Sequence, residues 1–275
     1  MKQQMGTLKL DAFATKKAQH LSPVALTGGL EGSIKLGEPV EIVSGAQGSR
    51  LAVDLNTVDR SQSTVTATSD ETYSGPSSRT TFVLEQYVPP KANAYDTAYE
   101  GDVLRYGMKV RILANATSLG ANLGLTGQVE ETTEMLASKP VSSGFKARLS
   151  KHQLVSLYRA GPGAYDAVWV VVPPRAEDRL VAMGVEVLQG APVALVHCGT
   201  NAPLRVELGY KNLTDFGYEF EVSASVDGAA NRLAALDDLF QGKDLGPTNQ
   251  WVFNVGYVEK EEGAEQAGEE AVVAE

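Results

Sequence analysis

Gly37-Glu38-Pro39-Val40-Glu41-Ile42-Val43 recurs as Gly107-Met108-Lys109-Val110-Arg111-Ile112-Leu113, and again as Gly190-Ala191-Pro192-Val193-Ala194-Leu195-Val196. Each copy reads Gly-x-x-Val-x-(Ile/Leu)-(Val/Leu). At offsets of 14, 16 and 18 from the glycine stand Leu51, Val53 and Leu55, then Ala121, Leu123 and Leu125, then Leu204, Val206 and Leu208. An apolar residue at every second position marks a strand with one covered face, because successive side chains point to opposite sides. The pattern therefore predicts strand, turn, strand, three times over. A glycine at the same offset ahead of each strand predicts a turn that needs positive φ or close packing.

Each copy also closes on a bulky aromatic in an apolar run: Thr81-Phe82-Val83-Leu84, Ala167-Val168-Trp169-Val170-Val171 and Asn249-Gln250-Trp251-Val252-Phe253. Glycine and aromatic are 45, 62 and 61 residues apart, so the copies share their ends and differ in their middles. Three hairpin repeats with heavy closing strands predict an all-β chain: a β-trefoil with long loop insertions and one short helix. Periodicity alone leaves a propeller or a sandwich open.

A chain of 275 residues is near the size at which one core stops growing, so one domain suffices. The formal charge of −10 is uneven: residues 259 to 275 carry seven glutamates against Lys260, which leaves −4 for the rest. A pI near 4.9 and the lack of a basic patch argue against nucleic acid and anionic membrane as partners. Cys198 is the one cysteine, so no internal disulfide forms and a reducing, intracellular setting is expected. No apolar run reaches the roughly 18 residues of a membrane span.

Three regions follow. Residues 1–30 form a basic arm with Lys2, Lys9, Lys16 and Lys17, expected to be a poorly ordered terminus or a tether that orders on a partner. Residues 31–258 hold the trefoil. Within it, Thr126 to Lys151 reads as a polar insertion offering contact surface, and Ala229 to Gln241 as an amphipathic helix, with Leu233, Leu236 and Phe240 on one stripe. Residues 259–275 are an acidic tail with too few apolar residues to fold alone.

Catalytic chemistry is not indicated. His197 and Cys198 are neighbours in a strand and so face opposite ways, which rules against a nucleophile–base dyad. His20 and His152 lack metal-ligand spacing, and Gly28 to Lys35 lacks the order that cradles phosphate. Asp54 and Glu207 share offset 17, where alternation places both on a wet face as solvated carboxylates. The expectation is no enzyme, no cofactor and no metal, with Lys2, Lys9, Lys16, Lys17, Lys139 and Lys151 as candidate partner contacts.

The repeat starts, Arg50-Leu51-Ala52-Val53-Asp54, Leu104-Arg105-Tyr106-Gly107, Thr200 to Tyr210 with Phe216-Gly217-Tyr218-Glu219, and Asn249-Gln250-Trp251 together resemble one family. It is the cilia- and flagella-associated protein 161 family, which carries a MIR-like β-trefoil, and the resemblance covers about Ile34 to Gly256. It implies a non-enzymatic microtubule inner protein of the ciliary or flagellar axoneme that stabilises doublets, with the α/β-tubulin lattice and other inner proteins as partners. The arm, the Ala229 to Gln241 helix and the acidic tail depart from that pattern. Asn249-Gln250-Trp251 also resembles the Gln-x-Trp element of lectin trefoils, so a carbohydrate-binding trefoil is the rival expectation, with a protein-interaction scaffold as a third.

Overall fold

The computed structural model describes residues 2–26, 32–54, 64–69, 75–89, 102–115, 134–140, 144–159, 165–225 and 242–256. The Ala229 to Gln241 helix, the acidic tail and the stretch holding Ala121, Leu123 and Leu125 lie outside them. Among the described residues, twelve strands carry the fold. The first repeat supplies β1 (Pro39–Ser44), β2 (Arg50–Asp54), β3 (Thr64–Thr68) and β4 (Thr81–Gln86). The second supplies β5 (Lys109–Ala114), β6 (Glu134–Ser138), β7 (Gln153–Arg159) and β8 (Trp169–Val172). The third supplies β9 (Ala194–His197), β10 (Ala202–Thr214), β11 (Gly217–Ala224) and β12 (Trp251–Asn254).

Six strands close a barrel. β1 pairs with β12 and β4, β4 with β5, β5 with β8, and β8 with β9. A bridge from Val193 to Trp251 joins the foot of β9 back to β12. Inside, the repeats superimpose residue for residue. Val40 sits opposite Phe82, Val110 opposite Trp169 and Val193 opposite Trp251. Between repeats, Ile112 meets Leu84, Leu195 meets Val171 and Ile42 meets Phe253. All twelve are fully buried in one core cluster.

The three glycines perform one job. Gly37, Gly107 and Gly190 have φ of +83°, +84° and +74°, and their amides donate to Leu84, Val171 and Phe253 at 2.9, 2.7 and 3.1 Å. Each turns the chain into its barrel strand from the base. There the amides of Ile34, Leu104 and Val187 donate to the carbonyls of Val187, Ile34 and Leu104, a closed three-membered ring on the pseudo-threefold axis.

The opposite end is capped by the hairpins β2–β3, β6–β7 and β10–β11. Here the second repeat departs from its expected register. Val43, Leu113 and Val196 are equivalent, and they pair with Arg50, Met135 and Pro203. The counterpart of Leu51 and Leu204 in the second copy is therefore Leu136, not Ala121. Residues 134–138, read as insertion, are a repeat strand. Nor is the N-terminus a loose arm: Lys2–His20 is an α-helix, α1, docked on the cap. A second helix, α2 (Ala176–Val181), lies in the connection between the second and third repeats. The result is an all-β body that fits a β-trefoil.

Candidate functional site

The cap holds most of the chemistry-bearing side chains. α1 is fixed there by polar contacts. Lys16 Nζ lies 2.6 Å from Asp54 Oδ1 and 2.7 Å from Asp215 Oδ2. Burial works against its charge, but the hydrogen bonds and attraction from Asp215 and Asp54 prevail and hold its pKa above the usual lysine value. His20 stacks on Phe216 with ring centroids 5.5 Å apart, and its carbonyl accepts from the Arg79 amide at 3.0 Å.

Beneath the helix lies an ion pair. Arg79 donates from Nη1 and Nη2 to Glu219 at 2.7 and 2.9 Å, and from Nε to the Val53 carbonyl at 3.2 Å. Thr66 and Thr214 hydroxyls donate to the same carboxylate at 2.8 and 3.1 Å. The guanidinium carbon stands 3.8 Å over the Phe216 ring. One carboxylate thus ties β3, β11, the hairpin turn and the segment before β4 together.

Glu207 and Glu221 are also buried, correcting the expectation that alternation leaves Glu207 on a wet face. Neighbouring hairpins cover that face. Glu221 accepts the Leu149 and Ser150 amides at 2.7 and 2.8 Å. Glu207 takes the Ser223 hydroxyl and His152 Nδ1, both at 2.5 Å, while the Ser225 hydroxyl lies 3.3 Å from that same nitrogen. Serine, histidine and glutamate come together, but acid and hydroxyl converge on one ring nitrogen. A relay needs them on opposite nitrogens, so the arrangement is structural.

His197 and Cys198 face apart as expected. His197 uses Nδ1 on Thr200 and Nε2 on the Asp166 carbonyl, at 2.8 and 2.9 Å, and burial lowers its pKa. Burial pushes the Cys198 thiol up to about 12, which leaves it protonated at neutral pH. Trp169 and Trp251 are fully buried, their Nε1 groups donating to Leu136 and Leu204 carbonyls at 2.8 and 3.1 Å. Neither indole face is open to stack on a sugar. Among the described residues, no three His, Cys, Asp or Glu side chains gather as a metal site.

The candidate lysines separate into two groups. Lys2, Lys9, Lys16 and Lys17 lie on α1, with Lys16 engaged internally. Lys139 lies over the Phe145 and Tyr158 rings at 5.0 and 4.4 Å, and Lys151 Nζ donates to the Arg148 carbonyl at 2.6 Å. Sequence reasoning missed the cleft that Lys139 borders. Strands β3 and β7 both pair with the same edge of β11, at Thr66–Ala67 and at Gln153–Leu154, and then diverge. Between them is a cavity of about 920 Å³ that reaches from Lys16 to Lys139.

Among the exposed large apolar side chains, two groups stand out. On the β10–β11 ribbon, the face carrying buried Val222 and Phe220 continues outward to Tyr218 and its partner Leu213, each 71% exposed. Near the base, Leu180, Val181, Val185 and Leu188 are open along one short segment. Such patches mark contact surfaces more often than isolated exposed residues do.

No family model matches the chain, and no curated protein matches its sequence. Solved structures do match its fold. An SDF2-like protein from Arabidopsis thaliana is 16% identical over 81% of this chain and 95% of that one, with a TM-score of 0.51. A Caenorhabditis elegans protein of unknown function is 18% identical over 84% and 100%, with a TM-score of 0.51. The Saccharomyces cerevisiae protein O-mannosyltransferase Pmt1-Pmt2 complex bound to its sugar donor is 16% identical over 83% of this chain and 26% of that one, at 0.52. With the threefold barrel, these similarities support a MIR-like fold.

Proposed function

We propose that the chain is a non-catalytic structural protein that docks on a larger protein assembly, and that the assembly is the luminal wall of ciliary doublet microtubules. The observation that carries the docking role is the contrast between its polar and apolar groups. The buried acids Glu41, Glu207, Glu219 and Glu221 are committed to holding the fold, while Leu213, Tyr218, Val181 and Leu188 stand in solvent. The ciliary location rests on the sequence resemblance.

The two apolar surfaces are at opposite ends of the barrel, one on the cap and one at the base. A protein gripped at two ends by a repeating lattice gains avidity, because the second contact is effectively intramolecular. Cryo-electron microscopy of doublets from the source organism tests the location. Density for the chain on the luminal wall is expected; its absence from purified axonemes would overturn the ciliary reading.

A further inference from the structure

We propose that the cleft between β3 and β7 is a docking groove for an extended, acidic segment of a partner polypeptide, which adds as a strand to the open edge of β7. This rests on the reading of the chain as a protein-binding module, and not on its ciliary location. Three observations carry it.

The first is backbone geometry. β7 pairs with β6 from Val155 to Arg159 on one edge, and with β11 only at Gln153 and Leu154 on the other. From Val155 onward, the second edge has no strand partner among the described residues. An open edge offers a row of amides and carbonyls to an incoming chain. The second is shape. The cavity of about 920 Å³ lies along that edge, with Thr64 and Val65 on its far wall and Phe145, Tyr158 and Leu213 among its apolar lining. Alternate side chains of an added strand would enter it.

The third is charge. The segment from Lys139 to Lys151 carries Lys139, Lys146, Arg148 and Lys151 and no acid, in a chain of formal charge −10. No carboxylate of the described residues pairs with any of these four cations. The acids on the groove walls are already committed or shielded. Asp54 and Asp215 hold Lys16, Glu221 holds the Leu149 and Ser150 amides, and Glu134 is buried. Of these four cations, Lys139 and Arg148 line the groove, beside an apolar trough, an arrangement that selects carboxylates at that end and apolar groups inside.

The test uses the full-length chain and a fluorescein-labelled synthetic decapeptide alternating valine with glutamate. Its lysine–valine counterpart and a version N-methylated at alternate residues serve as controls. Fluorescence anisotropy should show saturable binding of the acidic peptide alone. Lys139→Glu/Lys146→Glu/Arg148→Glu should weaken it at least tenfold, and Leu213→Ser several-fold, with circular dichroism unchanged. Hydrogen exchange should slow at Val155 to Tyr158 when peptide is added. Equal binding of the lysine–valine peptide, indifference to N-methylation, or protection elsewhere would overturn the proposal. If deleting residues 259–275 were needed before peptide could bind, the groove would belong to the chain's own tail and the partner would be refuted. A peptide-binding chain absent from axonemes would keep the groove and remove the ciliary reading; an axonemal chain indifferent to peptide would do the reverse.

Discussion

Replacing Glu219 by glutamine changes no volume and removes one charge, and the cap should respond strongly. The carboxylate receives two guanidinium hydrogen bonds at 2.7 and 2.9 Å and two hydroxyls at 2.8 and 3.1 Å, with both ionic side chains only 2% exposed. In Glu219→Gln, an amide N–H₂ must face Arg79 or Thr66, and the guanidinium stays buried without a counter-charge. Removing one member of a buried pair costs about 3–5 kcal/mol, most of it the penalty of the stranded charge. Because about 1 kcal/mol moves the midpoint of a chain this size by about 2–4 °C, the melting temperature should fall on the order of 10 °C. Urea denaturation followed by tryptophan fluorescence measures the loss. The double variant Arg79→Met/Glu219→Leu supplies the control, since apolar replacement of both partners removes the stranded charge and should recover most of the stability. A loss below about 1 kcal/mol in the single variant, or a double variant as unstable as the single, would refute the reasoning.

Three further outcomes are expected. Gly37→Ala and Gly190→Ala should each cost about 1–2 kcal/mol by the same mechanism, positive φ, because an added Cβ meets no atom within 4 Å at either site; unequal losses in urea titrations would deny the equivalence. Val206→Asp, at a fully buried position of the hairpin cap, should prevent folding, since an unpaired carboxylate there costs several kcal/mol, and a native circular dichroism spectrum would contradict it. Burial lowers the His20 pKa below its usual 6.5, aided by Lys16 and Arg79 and opposed by the Lys16 carbonyl and Asp54. Below pH 6.5 the unfolded chain then binds a proton that the folded chain refuses, so stability should fall as pH drops through that range. His197 shifts in the same direction, so the diagnostic is a shallower pH slope in His20→Gln than in the parent; identical slopes would remove His20 from the account.

The barrel was legible because its constraints are local. A positive-φ turn admits little besides glycine, and a strand with one dry face must alternate, so Gly37, Gly107 and Gly190 and the apolar positions after them announce themselves. The second hairpin was not, because alternation occurs by chance as well as by design. Ala121, Leu123 and Leu125 mimic the signal that Leu136 carries, and only pairing to Leu113 through Met135 separates them. The helical arm escaped for a different reason. Sequence periodicity is read from apolar residues, yet α1 docks through Lys16 and His20. The buried acids were illegible for want of their partners: Arg79 and Thr66 stand 140 and 153 residues from Glu219, and a strand pattern cannot distinguish a solvated glutamate from a paired one.

Pseudo-symmetry then says where function should be sought. Positions that the three copies share are fixed by the barrel and by the ring at its base, and a contact placed there would be repeated three times or would break the packing. Selectivity for one partner requires asymmetry. The copies differ in the hairpin cap, where β10 runs for 13 residues against 5 in both β2 and β6. That extra length carries Leu213 outward, with Tyr218 opposite, and places Asp215 against α1. The cleft that opens between β3 and β7, the basic segment at its rim and the helix that closes its other end all belong to this asymmetric part. A contact made there has one orientation, which a threefold body alone could not impose on a partner.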